Sequence, residues 1–442
     1  MKITELSNQK KLEMLKKSAE FKEVVGYTDE KLELVKIIDC LKNKKVYRKF
    51  GAVVPNGILF SGKSGVGKTL MAKSFIRISG LKCVKYQRGS VRKAFEEAAN
   101  EQTAIVFIDD MDGNYKEIKD CMDEFKNIIV VATAENADNI PNILKSPERF
   151  GKIIHIDVPD FHDSRLILKR YLPKQISKAL PHDETVHNMM YGLSAAEIKF
   201  IIKEAGLCAA TENDKCLRAI HFIKAYLKII KNIPETALIP ADDDYCIETL
   251  AYREAGHIAY AYNYYILNCD HDRAVPAFAV IYKEAPYRFN SITIINTEDN
   301  LKEDILYYLS GAAAVHQQID DSRYGSYQKI DYCCEETRND MENAYRLAKD
   351  YEHPENTCYS HIPYCIAKEQ KHPDFYYAMH DEDVKSIINQ KYELAKSSLK
   401  RNFVKAIADK LIKDRIITSW EIRRIGKSVN GRFDPYDEEF FY

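Results

Sequence analysis

Residues Gly62–Thr69 read GKSGVGKT, which fits the spacing G-x-x-x-x-G-K-[ST]. Glycines at these places let backbone N–H groups close around phosphate oxygens, and a following helix offers its positive N-terminus. Gly62, Lys63, Ser64, Gly65, Val66, Gly67, Lys68 and Thr69 are therefore read as a phosphate cradle. Lys68 would reach the β- and γ-phosphates of ATP, and the Thr69 hydroxyl would hold Mg²⁺. Downstream, Ile105–Asp112 reads IVFIDDMD, an apolar strand ending in carboxylates. Asp109 is expected beside the Mg²⁺ and Asp110 where an attacking water is polarised.

A second constellation lies at Tyr252–His257, YREAGH. The zinc pattern H-E-x-x-H puts two histidines one turn apart on one helix face, with its Glu as general base. Here Arg253 stands first, followed by Glu254 and His257. A guanidinium is always protonated and has no lone pair for a metal. Positions 253 and 257 still share a helix face. A further ligand from His271, His316 or His361 stays open. Cys358-x2-His361-x3-Cys365 and the pair Cys333–Cys334 could also hold metal, but no second pair completes a zinc spacing, which favours ordinary thiols.

These residues need elements to position them. The first half alternates: strands are expected at Gly57–Phe60, Lys82–Tyr86, Thr103–Asp109, Asn127–Thr133 and Ile153–Val158, with helices at Thr69–Ser79 and Val91–Asn100. Such alternation predicts a parallel α/β sheet covered on both faces. Phe161–Ile233 reads as mostly helical, with apolar spacing in Ala195–Ala210 and Arg218–Ile230. A helix is expected from Tyr245, and Val384–Arg424 is expected to be helical again. Of 29 tyrosines, seven precede residue 245 and 22 lie from Tyr245 onward, and Asn232–Asp244 carries two Pro and an acidic run, so a boundary is placed there.

Composition sets outer limits. The 442 residues are 45% hydrophobic and 30% charged, as in a folded chain, and the net charge is −1. A near-neutral chain has no global electrostatic reason to seek nucleic acid or an anionic membrane. No apolar run approaches the ~18 residues that span a bilayer. The N-terminus is too polar for a secretory signal, and eleven scattered cysteines read as reduced thiols, so a cytoplasmic protein without membrane insertion is expected. The basic run Lys42–Lys49 reads as a solvated helix face. The acidic, aromatic tail Gly431–Tyr442 reads as a frayed end or a short docking motif built on Phe440, Phe441 and Tyr442.

Several motifs together resemble an AAA+ ATPase module: Phe21–Gly26 (FKEVVG), the phosphate loop, IVFIDD, Lys145–Lys152 (KSPERFGK) and Gly192–Ala205 (GLSAAEIKFIIKEA). YREAGH narrows the resemblance to the FtsH-like, paraplegin-like ATP-dependent zinc metalloproteases, whose pattern there is HEAGH. Asn339–Ala348 (NDMENAYRLA) resembles that family's later helix and Ala408–Ile422 its closing segment, so the resemblance runs from Phe21 to Ile425. It implies an α/β P-loop AAA+ domain with a helical lid, followed by a mainly α-helical peptidase domain. The expected divisions are an extension 1–20, the nucleotide domain 21–158, the lid 159–233, a linker 234–244, the peptidase-like domain 245–426 and a tail 427–442.

By that resemblance Val25 and Gly26 lie against the adenine, and Ser194 and Ala195 sit on the lid near the nucleotide. Arg149 is the finger that reaches a neighbour's γ-phosphate, with Lys152 where a second Arg often stands. Asp110 replaces the family's Glu, and Glu135 falls in or beside the place of a sensor asparagine. His257 and Asp340 are two zinc ligands whose first partner is replaced by Arg253. An Arg253–Asp340 ion pair is expected in the metal's place, with zinc absent and Glu254 left nothing to activate. Only Gln87–Ser90 separates the second strand from its helix, so the family's aromatic–Val–Gly pore loop has no room; Tyr86 and Tyr115 are weaker substitutes.

Three readings follow. The first is an ATPase whose peptidase part has lost zinc chemistry, assembled as a ring, expected hexameric, with a protein client or an intact homologue as partner. The second is an active zinc endopeptidase with an atypical ligand set. The third is a nucleotide-gated scaffold or adaptor without turnover.

Overall fold

The computed structural model describes residues 21–87, 89–173, 184–238, 245–268, 276–285, 288–295, 304–321, 335–352 and 382–430. The N-terminal extension, the end of the linker, His271, the cysteines at 333–334 and 358–365, His361 and the acidic tail lie outside these. Described residues group into two compact units. One holds residues 21–172 and 192–203, the other residues 184–191 and 204 onward.

The first unit contains α1 (Thr28–Lys42), α2 (Lys44–Arg48), β1 (Gly57–Ser61), α3 (Lys68–Ser79), β2 (Lys82–Lys85), α4 (Val91–Ala98), β3 (Ala104–Ile108), α5 (Tyr115–Glu124), β4 (Ile128–Ala134), β5 (Lys152–His155) and α6 (Phe161–Tyr171). The strands form one parallel sheet in the order β2-β3-β4-β1-β5. The central strands GILFS, AIVFI and IIVVATA are buried along their whole length, as strands covered on both faces must be. Alternate side chains feed opposite cores. Ile58, Phe60, Ile105 and Val131 join Phe75 on one side, while Leu59, Val106 and Val130 join Phe95 and Ile118 on the other. The edge strand KCVK exposes both its lysines, which blunts that sheet edge, whereas in KIIH Ile153 and His155 are exposed and Lys152 is half-buried.

The second unit holds α7 (Glu184–Met190), most of the C-terminal half of α8 (Ala195–Thr211), α9 (Ala219–Ile230), α10 (Tyr245–Asn268), β6 (Phe278–Ala285), β7 (Arg288–Ile294), α11 (Ile305–Asp321), α12 (Glu335–Glu352), α13 (Glu382–Ser398), α14 (Arg401–Asp414), β8 (Ile416–Thr418) and α15 (Ser419–Asn430). It is mostly helical, as expected, but carries an antiparallel sheet in the order β7-β6-β8. Val384–Arg424 is helical as expected in α13, α14 and α15, and the expectation is corrected at Ile416–Thr418. Arg415 adopts φ +61° and ends α14, and the β-branched run Ile416–Thr418 then pairs with Phe278–Val280. Three residues are too few to show a strand period, and their partner is distant in sequence. Among the described residues no helix is long and apolar enough to cross a membrane.

Candidate nucleotide site and peptidase-like cluster

The loop between β1 and α3 follows the sequence reading. Gly62, Gly65 and Gly67 have φ of +145°, +81° and +113°. A Cβ at Gly62 would lie 2.0 Å from the Ile156 carbonyl oxygen, so only glycine fits there. The Lys68 ammonium reaches back over the loop and donates to the carbonyls of Gly62 (2.7 Å) and Lys63 (2.9 Å). Ser64 makes no contact that assigns it a role beyond the loop backbone. Thr69 Oγ1 donates to Asp109 Oδ1 at 2.8 Å, which joins the two expected metal-holding groups. A hydroxyl and a carboxylate side by side at the mouth of a phosphate loop fit Mg²⁺ bound with ATP.

Asp110 follows with φ +60°, exposed, its amide donating to Thr133 Oγ1 at 2.7 Å. Thr133 donates to Asp109 Oδ1 at 3.1 Å. The Lys85 ammonium lies 4.0 Å from Asp109 Oδ2. The sequence reading passed over Thr133 and Lys85, since nothing in their spacing announces them.

A cavity of about 150 Å³ opens beside the loop, lined by Val25, Tyr27, Gly67, Leu70, Tyr171 and Ala195 among others. Val25 and Ala195 thus reach the expected nucleotide space. Gly26 serves by close approach instead: a Cβ there would fall 2.3 Å from the Asp163 carboxyl carbon. That carboxylate accepts the Tyr27 amide at 2.7 Å, and the Tyr27 hydroxyl donates to the Val66 carbonyl at 3.0 Å. Burial, then the nearby carboxylates, push the Tyr27 phenol far above its usual range, so it stays a neutral donor. Ser194 caps α8: its amide donates to Glu197 at 2.7 Å, and its hydroxyl accepts the Glu197 amide at 3.3 Å. The Ala196 amide donates to the Gly65 carbonyl at 3.1 Å, tying the lid to the loop. Lys199 stands 4.3 Å over the Tyr171 ring on the cavity wall.

Arg149 is engaged within its own chain. Its guanidinium donates to both oxygens of Asp123 on α5 (3.0 and 2.8 Å) and to the Ile143 carbonyl (3.0 Å). These bonds hold the Asp123 carboxyl down at about 2. Lys152 pairs with Glu33. Tyr86 and Tyr115 both pack on the core beneath β3, and the Tyr86 hydroxyl donates to the Gly89 carbonyl at 3.0 Å.

In the second unit α10, α11, α12 and β7 converge on a buried charge cluster. The Arg253 guanidinium donates to both oxygens of Asp340 on α12 (2.5 and 2.8 Å), to Glu254 Oε1 (2.6 Å) and to Ser291 Oγ (3.1 Å). Ser291 donates to Glu254 Oε1 at 2.8 Å, and Thr293 donates to the other oxygen. His257 Nε2 lies 3.2 Å from Asp340 Oδ2 but forms no aligned hydrogen bond; its Nδ1 lies 3.6 Å from Glu254 Oε2. Its ring stacks on Tyr307 with centroids 4.5 Å apart. The side chains of Glu254, His257 and Asp340 are each only 2% exposed.

Burial alone would raise the Glu254 carboxyl, but Arg253 and His257 outweigh it and hold Glu254 at about 2. Asp340 is depressed against the same burial by the same two cations. Burial alone would lower His257, but Asp340 and Glu254 carry it above its usual value. His316, the described candidate for a rescuing ligand, is bonded to the Tyr392 hydroxyl. Another acid–histidine group, Glu212, Asp214 and His221, is a helix cap: His221 Nδ1 accepts the Arg218 amide at 3.0 Å, which leaves the ring proton on Nε2, 2.9 Å from Asp214.

The parallel sheet, the glycine loop with Lys68 and Thr69, and the paired Asp109 and Asp110 define a P-loop ATPase domain. Residues 58–158 match the ATPase family associated with various cellular activities (AAA). Over most of its length the chain is also similar to proteins named ATP-dependent zinc metalloprotease FtsH. It is 27% identical to that of Karelsulcia muelleri, covering 90% of this chain and 69% of the relative. It is 27% identical to FtsH 3 of Petrotoga mobilis, covering 94% and 70%. With FtsH of Bacillus subtilis the match is 29% over 55% and 43%. The chain thus carries an AAA match in its first unit and resembles FtsH-like AAA+ proteins along most of its length.

Proposed function

We propose that the chain binds and hydrolyses ATP with Mg²⁺ and that its peptidase-like unit does no zinc chemistry. The observation that carries the second half is the Arg253 guanidinium, buried where the pattern H-E-x-x-H puts its first ligand and doubly bonded to Asp340. A catalytic zinc needs three protein ligands; Arg253 offers no lone pair, and both oxygens of Asp340 are committed to it. Glu254 is likewise engaged, its Oε1 by Arg253 and Ser291 and its Oε2 by Thr293. The donor set does not fit zinc.

At the nucleotide site the residues fit. Mg²⁺ would be held by Thr69 and Asp109 and would neutralise charge on the phosphates. Lys68 binds the phosphates, the lid end at Ala195 and the wall at Val25 enclose the base, and Asp110 accepts a proton from the attacking water. In this reading Arg149 serves a neighbour in a ring, which we take to be hexameric, and nucleotide state sets contacts with a protein client or an intact homologue. A cytoplasmic location without nucleic-acid or membrane partners belongs to the same proposal.

Metal analysis and ATP turnover on one purified sample test it. The expected result is no zinc at this cluster, with turnover well above that of Lys68→Ala. One zinc per chain together with casein cleavage would instead support an endopeptidase with an atypical ligand set. Turnover no higher than in Lys68→Ala would leave a nucleotide-gated scaffold. Arg253→His, which restores a third donor, is expected to bind zinc when the native chain does not.

A further inference from the structure

Lys42–Lys49 is a basic run in the sequence, and in the structure it borders an apolar patch. The short helix α2 is anchored to α1 by Tyr47, whose hydroxyl donates to Asp39 Oδ2 at 2.7 Å. Helical bonding runs on past it, with the Phe50 amide donating to the Tyr47 carbonyl at 3.0 Å. Val46 and Phe50, four residues apart, therefore share one face, and Lys45 and Lys49 form a row beside them. Phe50 is 84% and Val53 75% exposed, the highest values for large apolar side chains among the described residues, and Val46 is 55% exposed. Lys42, Lys44, Lys45, Arg48 and Lys49 are exposed too, and none forms an ion pair with a described carboxylate.

Apolar side chains scattered singly over a surface need no explanation, but a group of them with a polar rim marks a binding surface. The partner of this one must bring acidic groups for the rim and apolar groups for the centre. Gly431–Tyr442 of the same chain, GRFDPYDEEFFY, has that composition and lies outside the described residues. It carries four carboxylates against one Arg, and five of its twelve residues are aromatic. Asp437–Glu439 is followed at once by Phe440, Phe441 and Tyr442, so acid and ring adjoin as Lys49 and Phe50 do on the patch. Aromatic anchors carry much of the energy at interfaces, while opposite charges set register and encounter rate. Every copy of the patch comes with one copy of this segment, and a tethered ligand gains an effective concentration that a free one lacks. A nucleic-acid backbone would answer the cations but leave Val46 and Val53 uncovered.

We propose that the apolar and basic face around α2 is the docking site of the acidic, aromatic segment Gly431–Tyr442. Phe440 and Phe441 cover Val46, Phe50 and Val53, and the carboxylates before them pair with Lys45 and Lys49. This inference is independent of whether the chain hydrolyses ATP.

The test uses the full chain with the photo-crosslinker benzoylphenylalanine in place of Phe441. Irradiation is expected to attach it within residues 42–53, read by mass spectrometry of the digested protein. Lys45→Glu/Lys49→Glu and, separately, Phe50→Ser are each expected to cut the yield by about 10-fold or more. All three side chains are exposed, so these variants are expected to fold. Adding Asp437→Lys/Glu439→Lys to the lysine variant exchanges the charges and is expected to restore the crosslink. Raising salt from 0.1 to 1 M shortens the screening length from about 10 to about 3 Å and is expected to lower the native yield. Attachment outside residues 42–53, or a yield unmoved by both variants, overturns the proposal. Failure of the charge exchange to restore the crosslink overturns the assigned ion pairs. Phosphatidylserine vesicles or RNA that bind the native chain but not Lys45→Glu/Lys49→Glu, with no crosslink from position 441, would assign the face to those anions and overturn the proposal as well.

Discussion

Replacing Arg253 by Met removes the centre of the buried cluster. The variant loses two bonds to Asp340 (2.5 and 2.8 Å), one to Glu254 (2.6 Å) and one to Ser291 (3.1 Å). Two carboxylates, each 2% exposed, then share His257 as the cation of the cluster, with Ser291 and Thr293 still donating to Glu254. Removing one partner of a buried pair typically costs about 3–5 kcal/mol, because the other charge stays buried without compensation. Arg253→Met/Asp340→Leu removes both charges, and apolar replacement of a whole buried pair is often neutral, so most of the loss should return. Trp420 is the single tryptophan and lies on α15 in the second unit, so its fluorescence during urea unfolding reports that unit. Arg253→Met is expected to lower the Trp420 midpoint sharply and the double variant to recover it. A single-variant loss below about 1 kcal/mol, the range of an exposed pair, would refute a buried ionic crosslink. Losses that simply add in the double variant would refute the pairing with Asp340.

Two further outcomes follow from the same cluster. Glu254 and Asp340 are depressed below their usual values, so their contribution is full above about pH 4.5 and is lost as pH falls through the folded values, about 2 for Glu254. His257 is raised, so its contribution is full below its usual 6.5 and is lost as pH rises through the higher folded value. Urea midpoints read at Trp420 should therefore be highest between about pH 4.5 and 6.5 and fall on both sides; a midpoint that keeps rising from pH 6.5 to 9 would contradict the charged His257. Gly311→Ala places a Cβ 2.5 Å from His257 Nε2, and overpacking of this kind costs about 1–3 kcal/mol, which a lowered Trp420 midpoint would register.

Legibility from sequence differed between the two units for physical reasons. The phosphate loop and Asp109 were readable because their chemistry is local: glycines, Lys68 and Thr69 act within one turn, and the buried strand before Asp109 is a continuous apolar run. The Arg253–Asp340 contact was reachable only through resemblance, since 87 residues separate the partners. Thr133, Tyr171 and Lys199 stayed hidden because each acts through a neighbour brought up by the fold. Arg149 shows a different gap. Its sequence context speaks of a neighbour's phosphate, whereas its nearest carboxylate, Asp123, belongs to its own α5.

The retention of EAGH beside an arginine has a packing explanation that needs no metal. Gly256 sits where α10 meets α11, and a Cβ there would fall 2.2 Å from the Ser310 carbonyl oxygen. One residue further on, His257 fills the space that a Cβ on Gly311 would take, and stacks on Tyr307. Ala255 is fully buried in the same core as Ile258 and Ala259. Glu254 pairs with Arg253 and also accepts bonds from Ser291 and Thr293. Every residue of this segment is thus held by close packing or by a buried charge that must stay paired. A helix crossing built this way holds these residues in place by itself, because changing any of them alone opens a cavity, forces an overlap or strands a charge.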